Sequence, residues 1–172
     1  MAVWGAAALV LLLPLVAMQF TGEVAWDLAD FAIFGAMLVC ACGAYELAAR
    51  ATGNRAYRAA VGVALAAAFV LVWMNLAVGI IGNEENPANL MVGGVPAVGI
   101  IGAAIARFQP HGMGRAMVAT ALAQALVAVI ALVAGLGYTF VLPTVFFVAL
   151  WLASARLFWR AAREQAHAVA AP

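Results

Sequence analysis

Five amide or carboxylate side chains fall within seven residues of this chain: Asn83, Glu84, Glu85, Asn86 and Asn89. At that density they offer the hard oxygen ligands that an alkali or divalent cation selects. Asp27 and Asp30, in an earlier polar segment, would add two carboxylates if the two segments converged on a cation or a cationic ligand. The same residue types also have a structural use, because Asn and Asp are ordinary turn and cap residues. Asn86 before Pro87 fits an N-cap followed by the first position of a helix. Capping and cation binding are the two chemistries open to this segment, and a docking surface for another protein is its third use.

Two further amides lie where amides are rare. Asn75 sits about 10 Å inside an apolar run at the ~1.5 Å helical rise, and Gln124 falls near the middle of another. Interhelical hydrogen bonding, typically ~1 kcal/mol, is the simplest use of each. Pro96, after Gly93 and Gly94, deprives the Val92 carbonyl of its donor. A helix broken there beside Asn75 would make a polar mouth of the kind that transporters use.

The remaining reactive side chains fit no catalytic pattern. His111, in an expected Gln-Pro-His-Gly loop, and His167, in the tail, lack the partner spacing of a metal site, and no zinc-binding His pair, Gly-x-Ser-x-Gly elbow or phosphate loop is present. An enzyme is therefore the least supported class, and no cofactor is expected. Cys40 and Cys42 point about 200° apart on a helix, which excludes joint chelation or a mutual disulfide and leaves small buried hydrophobes. Glu46 and Arg50 have the spacing of an i,i+4 ion pair.

The elements that hold these residues follow from composition. The chain is 69% hydrophobic and 9% charged, against about half and about a quarter in ordinary soluble domains. With a mean hydropathy of +1.11, the bilayer is its main solvent. About 20 apolar residues cross the hydrocarbon, and six runs approach that length: Val3–Gln19, Asp30–Ala49, Ala59–Ile81, Leu90–Ala106, Ala116–Leu136 and Val141–Phe158. Helices are required, because period-2 alternation is absent and lipid leaves no other way to satisfy an unpaired backbone. The first run has no basic n-region, so it reads as a span rather than a secretory signal.

Charge sets the expected orientation. Arg50, Arg55 and Arg58 follow the second run, Arg107 and Arg115 flank the loop after the fourth, and Arg156, Arg160 and Arg163 close the sixth. Glu23, Asp27 and Asp30 follow the first run, and Glu84 and Glu85 follow the third. Arginines and acids alternate sides in step with six crossings, which places both termini in the cytoplasm. Arg156, Arg160 and Arg163 also share one helical face beside Trp159, a stripe suited to anionic lipid. All eight basic residues are arginine, which with the abundant Ala, Val and Gly points to a GC-rich bacterial genome. Nucleic acid is excluded as a partner, because no stretch combines clustered arginines with interleaved aromatics.

Shifted by 57 positions, residues 58–70 match residues 115–127 at eight of thirteen places, as expected if helices three and five are copies. Gly99, Gly102, Ala103 and Ala106 on helix four, and Gly62 and Ala66 on helix three, have small-xxx-small spacing for close helix packing.

The run Asn75-Leu-Ala-Val-Gly-Ile-Ile-Gly82, the acidic Asn-Pro-Ala-Asn turn and the earlier Met18-Gln-Phe-Thr-Gly-Glu-Val-Ala-Trp26 with Asp30-Phe31 resemble a group of small, uncharacterised bacterial polytopic membrane proteins. The resemblance runs over most of the chain and is most specific at the turn. It implies a membrane protein and carries over no activity, cofactor or functional residue.

The expected protein is an all-α integral membrane bundle, a single domain of six spans in a bacterial inner membrane. Its expected role is that of a helix-packing accessory subunit or scaffold, with membrane lipids, a second copy or another membrane protein as partners. The competing reading is a small transporter or channel whose polar site is drawn from Asn75, Asn83, Glu84, Glu85, Asn86, Asn89, Asp27 and Asp30 at the mouth between helices three and four.

Overall fold

Among the described residues the apolar runs, punctuated by Gly, Pro and Asn, fold into six helices: α1 (Ala2–Ala17), α2 (Leu28–Ala51), α3 (Arg55–Ala77), α4 (Asn89–Ile105), α5 (Pro110–Val133) and α6 (Val141–Ala170). A computed structural model of the chain describes residues 2–22, 25–83 and 85–170, and no strand occurs among them. Helices α2, α3, α5 and α6 are each long and apolar enough to cross a membrane, while α1 and α4 are apolar but shorter.

The chain divides into two units, Met1–Ala51 and Thr52–Pro172. In the first, α1 and α2 pair as a hairpin in which only Phe34 and Cys42 of α2 are buried. The Cys42 thiol points at the Val3 carbonyl, 4.0 Å away, whereas Cys40 is exposed on the opposite side of the helix. The expectation that both cysteines are buried therefore fails for Cys40, because the hairpin is too thin to cover two faces. Glu46 accepts from Arg50 at 2.6 Å, as its spacing predicts, and also from the Trp4 indole of α1 at 2.7 Å.

In the second unit α6 packs between α3 and α5, and α4 packs on α5. Chemistry at the contacts explains the closeness. A Cβ added to Gly102 would lie 2.7 Å from the Ala116 Cβ, one added to Gly112 would lie 2.7 Å from the Ala106 Cβ, and Gly114 lies directly against the Trp159 indole. The small face of α4 is thus the seam with α5, as its spacing predicts. The corresponding expectation for α3 is not met: Ala66 is exposed and Gly62 half-buried, and α3 instead buries Ala56, Tyr57, Ala60, Ala67 and Leu71. Adding 57 to each of those five numbers gives Met113, Gly114, Met117, Gln124 and Ala128, all buried on α5. The two helices that flank α6 therefore turn faces of equivalent register inward.

Three long-range ties hold one end of this unit together. The Tyr57 hydroxyl donates to the Phe108 carbonyl at 2.8 Å, the Ser154 hydroxyl to the Ala60 carbonyl at 2.9 Å, and the Asn54 amide to the Glu164 carboxylate at 3.0 Å. That end carries the start of α3, the end of α4, the start of α5 and the distal half of α6. It therefore carries all the arginines of this unit: Arg55, Arg58, Arg107, Arg115, Arg156, Arg160 and Arg163.

Several element boundaries depart from the sequence reading, three of them at or near residues singled out above. Helix α3 stops at Ala77, four residues before the expected Ile81. Helix α6 continues to Ala170, so His167 is helical rather than in a loose tail. Helix α5 starts at Pro110, so His111 sits in its first turn rather than in a loop.

Candidate functional site

The connection from α3 to α4 is built around one side chain. Gly79 and Gly82 both adopt positive φ, 66° and 76°, a conformation nearly free of cost only for glycine, and between them the helix can no longer supply carbonyl acceptors to Ile80 and Ile81. Asn89 supplies one instead. Its Oδ1 accepts from the Ile80 and Ile81 N–H groups at 3.0 and 2.9 Å. Its Nδ2 donates to the Asn83 carbonyl at 2.6 Å and to the Ile81 carbonyl at 3.4 Å. Asn89, Ile80 and Ile81 are all buried, so this one amide replaces the ladder bonds that a buried loop would otherwise lack.

Two other asparagines extend the cluster. The Asn75 amide donates to the Asn89 carbonyl at 3.2 Å, and Asn86 Oδ1 accepts from the Ala88 N–H at 3.0 Å. Asn86 thereby caps the short lead-in turn over Pro87 and Ala88, and the α-helix proper begins three residues later at Asn89. The structure thus gathers Asn75, the Asn83 main chain, Asn86 and Asn89 into one hydrogen-bonded knot, in which the Asn75 Oδ1 is the one buried side-chain atom left without a partner.

Glu85, the described acid of this connection, does not join it. Its side chain is exposed, and Glu84 lies outside the described residues. Asp27 and Asp30 belong to the first unit and face each other's backbone: the Asp30 N–H donates to Asp27 Oδ1 at 2.9 Å and the Asp27 N–H to Asp30 Oδ2 at 3.0 Å. That reciprocal pair is a capping box at the start of α2, with carboxylates at the positive end of the helix dipole. Among the described residues no three His, Cys, Asp or Glu side chains gather as metal ligands.

The expected break in α4 is absent. The helix runs from Asn89 to Ile105 with Pro96 inside it, and Gly93 and Gly94 are exposed with open space beside them. Proline is tolerated in apolar helices whose neighbours support the freed carbonyl. Without the break, Asn75 meets the first turn of α4 rather than an unwound segment.

A second polar group sits deeper. Thr120, Gln124 and Ser154 are fully or almost fully buried. Thr120 donates back to the Ala116 carbonyl at 2.9 Å, while Gln124 Oε1 and Trp151 Nε1 have no hydrogen-bond partner. Sequence reading singled out Gln124 as interhelical glue and missed Trp151, which reads as one more aromatic in an apolar run. An open groove of about 510 Å³ runs between the start of α5 and the end of α6, lined by Gln109, Pro110, His111, Ala162, Gln165, Ala166 and Val169.

Fold and cluster together define a class, an all-helical protein with four helices of membrane-spanning length and apolarity. Comparison with protein-family models, with curated proteins and with solved structures finds no match to this chain.

Proposed function

We propose that this chain is a bacterial inner-membrane protein with six spans and both termini cytoplasmic, acting as a helix-packing accessory subunit or scaffold in a membrane complex or homo-oligomer. The observation that carries the reading is the closed character of its polar chemistry. The asparagines between α3 and α4 bond to their own connection, and Asp27 and Asp30 cap α2. Apolar side chains meanwhile cover the outside: Leu9, Leu13, Leu47, Leu90, Ile105, Leu122 and Val133 are all exposed. Such surfaces suit lipid or another apolar helix.

Helices α1 and α4, of 16 and 17 residues, span about 25 Å at the ~1.5 Å rise. A shortfall of about 5 Å against the hydrocarbon thickness is met by modest bilayer thinning. The collection of seven arginines at one end of the second unit supports placing that end in the cytoplasm.

One observation favours the alternative, a small transporter or channel with a polar mouth between α3 and α4: the unpartnered Asn75 Oδ1. Native mass measurement after mild extraction, paired with flux assays in liposomes, decides between the readings. A defined oligomer or a stoichiometric partner, with no saturable flux, is the expected result. Saturable flux by the lone chain, abolished by Asn75→Leu, would replace the scaffold with the transporter.

A further inference from the structure

The two unpartnered atoms in the centre of the second unit are complementary. Trp151 Nε1 is a donor with no acceptor, and Gln124 Oε1 is an acceptor with no donor. Their residues are 2% and 1% exposed. In an apolar interior each such group costs several kcal/mol if left unsatisfied, so two of them on adjoining helices call for a common partner.

The helix register places them at nearly the same depth. Gly114 of α5 lies against Trp159 of α6. Gln124 is ten residues further along α5, and Trp151 is eight residues back along the antiparallel α6. The difference of two residues corresponds to about 3 Å at the ~1.5 Å rise. Both side chains also belong to inward stripes, Thr120, Gln124 and Ala128 on α5 and Phe147, Trp151 and Ser154 on α6. Thr120, one turn from Gln124, takes no part, because its hydroxyl bonds the Ala116 carbonyl and faces Gly99 of α4.

We propose that α5 and α6 hold a structural water molecule at this level, which accepts from the Trp151 indole and donates to Gln124 Oε1. One acceptor role and one donor role fall within the roughly 2–4 hydrogen bonds that buried waters make. A water suits the site better than a cation or an anion, because the set is neutral and contains donor and acceptor together. Interhelical polar contact across α5 and α6 then runs through the solvent molecule rather than directly between side chains.

The test uses the full chain reconstituted in lipid bilayers. The indole N–H signal of Trp151, identified by its loss in Trp151→Phe, should show magnetisation transfer from a long-lived water, and Gln124→Leu should abolish that transfer while leaving the indole signal. Unfolding of Gln124→Leu, Trp151→Phe and the double variant should be non-additive, with the double variant's folding constant exceeding the product of the single effects by about 5-fold or more. Additive effects would overturn the proposal, and so would coupling without water transfer, which means a direct side-chain bond. If Trp151→Phe does not fold, the water transfer in the parent chain and its loss in Gln124→Leu decide the matter alone.

Discussion

The Asn75 side-chain amide donates to the main-chain carbonyl of Asn89 across 3.2 Å, so the last turns of α3 are tied to the first residue of α4. Asn89 in turn holds the intervening loop with its own amide. The two asparagines are unequal partners, since Asn89 satisfies two buried backbone donors and Asn75 satisfies one carbonyl.

Asn89→Leu should therefore destabilise more than Asn75→Leu. Loss of Asn89 strands the Ile80 and Ile81 N–H groups, at roughly 1–3 kcal/mol each, whereas Asn75→Leu forfeits a bond of ~1 kcal/mol and removes the unpartnered Oδ1 at the same time. Thermal unfolding in detergent checks the order. Equal effects would mean that the knot does not carry its load through Asn89.

Arg107 and Phe108 both adopt positive φ, 48° and 58°. They close α4 in a Schellman arrangement, with the Phe108 N–H on the Ala103 carbonyl and the Arg107 N–H on the Ala104 carbonyl. At the end of α5 the matching place belongs to Gly135, with φ 70°. Arg107→Gly should thus raise stability by about 1 kcal/mol, since a left-handed conformation costs a residue with a Cβ roughly 1–2 kcal/mol. A fall in the unfolding temperature would show that the Arg107 side chain contributes more than its backbone strain removes.

Orientation is testable at four surface positions. Cysteines introduced at Gly22 or Ala88 should react with an impermeant thiol reagent added outside intact cells, and those at Thr52 or His111 should react only after lysis. The reverse pattern would invert the protein in the membrane.

The far end of α6, beyond the apolar stretch that ends at Phe158, offers a titration. Arg160 donates to Glu164 Oε1 at 2.9 Å and Asn54 donates to its Oε2 at 3.0 Å. These bonds, the arginine's first, hold the Glu164 carboxyl below the ordinary carboxylate range. A depressed folded-state pKa means that the tie between α3 and α6 is fully present above the ordinary carboxylate pKa and is lost as the pH falls through the lowered value. Carbon-detected NMR titration should give Glu164 a midpoint below that of a free glutamate, and Arg160→Ala should raise it. An unshifted midpoint in the parent chain would dissolve the tie.

The helical character was legible because apolar runs of this length leave little choice in lipid. The end of α3 was not, since Val78, Ile80 and Ile81 continue the apolar text; only Gly79 and Gly82 mark the turn, and the acceptor that permits it comes from Asn89, eight or nine residues on. The Asn-rich turn stands out in the sequence by its density of amides, and in the structure the Asn89 amide bonds the backbone of that same connection. Pro96 misled, because proline forbids one hydrogen bond without forcing a helix to unwind. The Trp4 to Glu46 bond joins residues 42 apart and has no local sequence signal, while the matched buried faces of α3 and α5 share the 57-residue register of the repeat.

The hairpin of α1 and α2 buries only two side chains of α2 within itself. In water such a pair would have almost nothing to hold it shut, so its cohesion is borrowed from whatever apolar medium surrounds it. The fifty or so residues of this hairpin therefore depend on an apolar medium for their pairing in a way that the more deeply buried helices α3, α5 and α6 do not. Deprived of that medium, the pair would come apart long before the unit that α6 holds together.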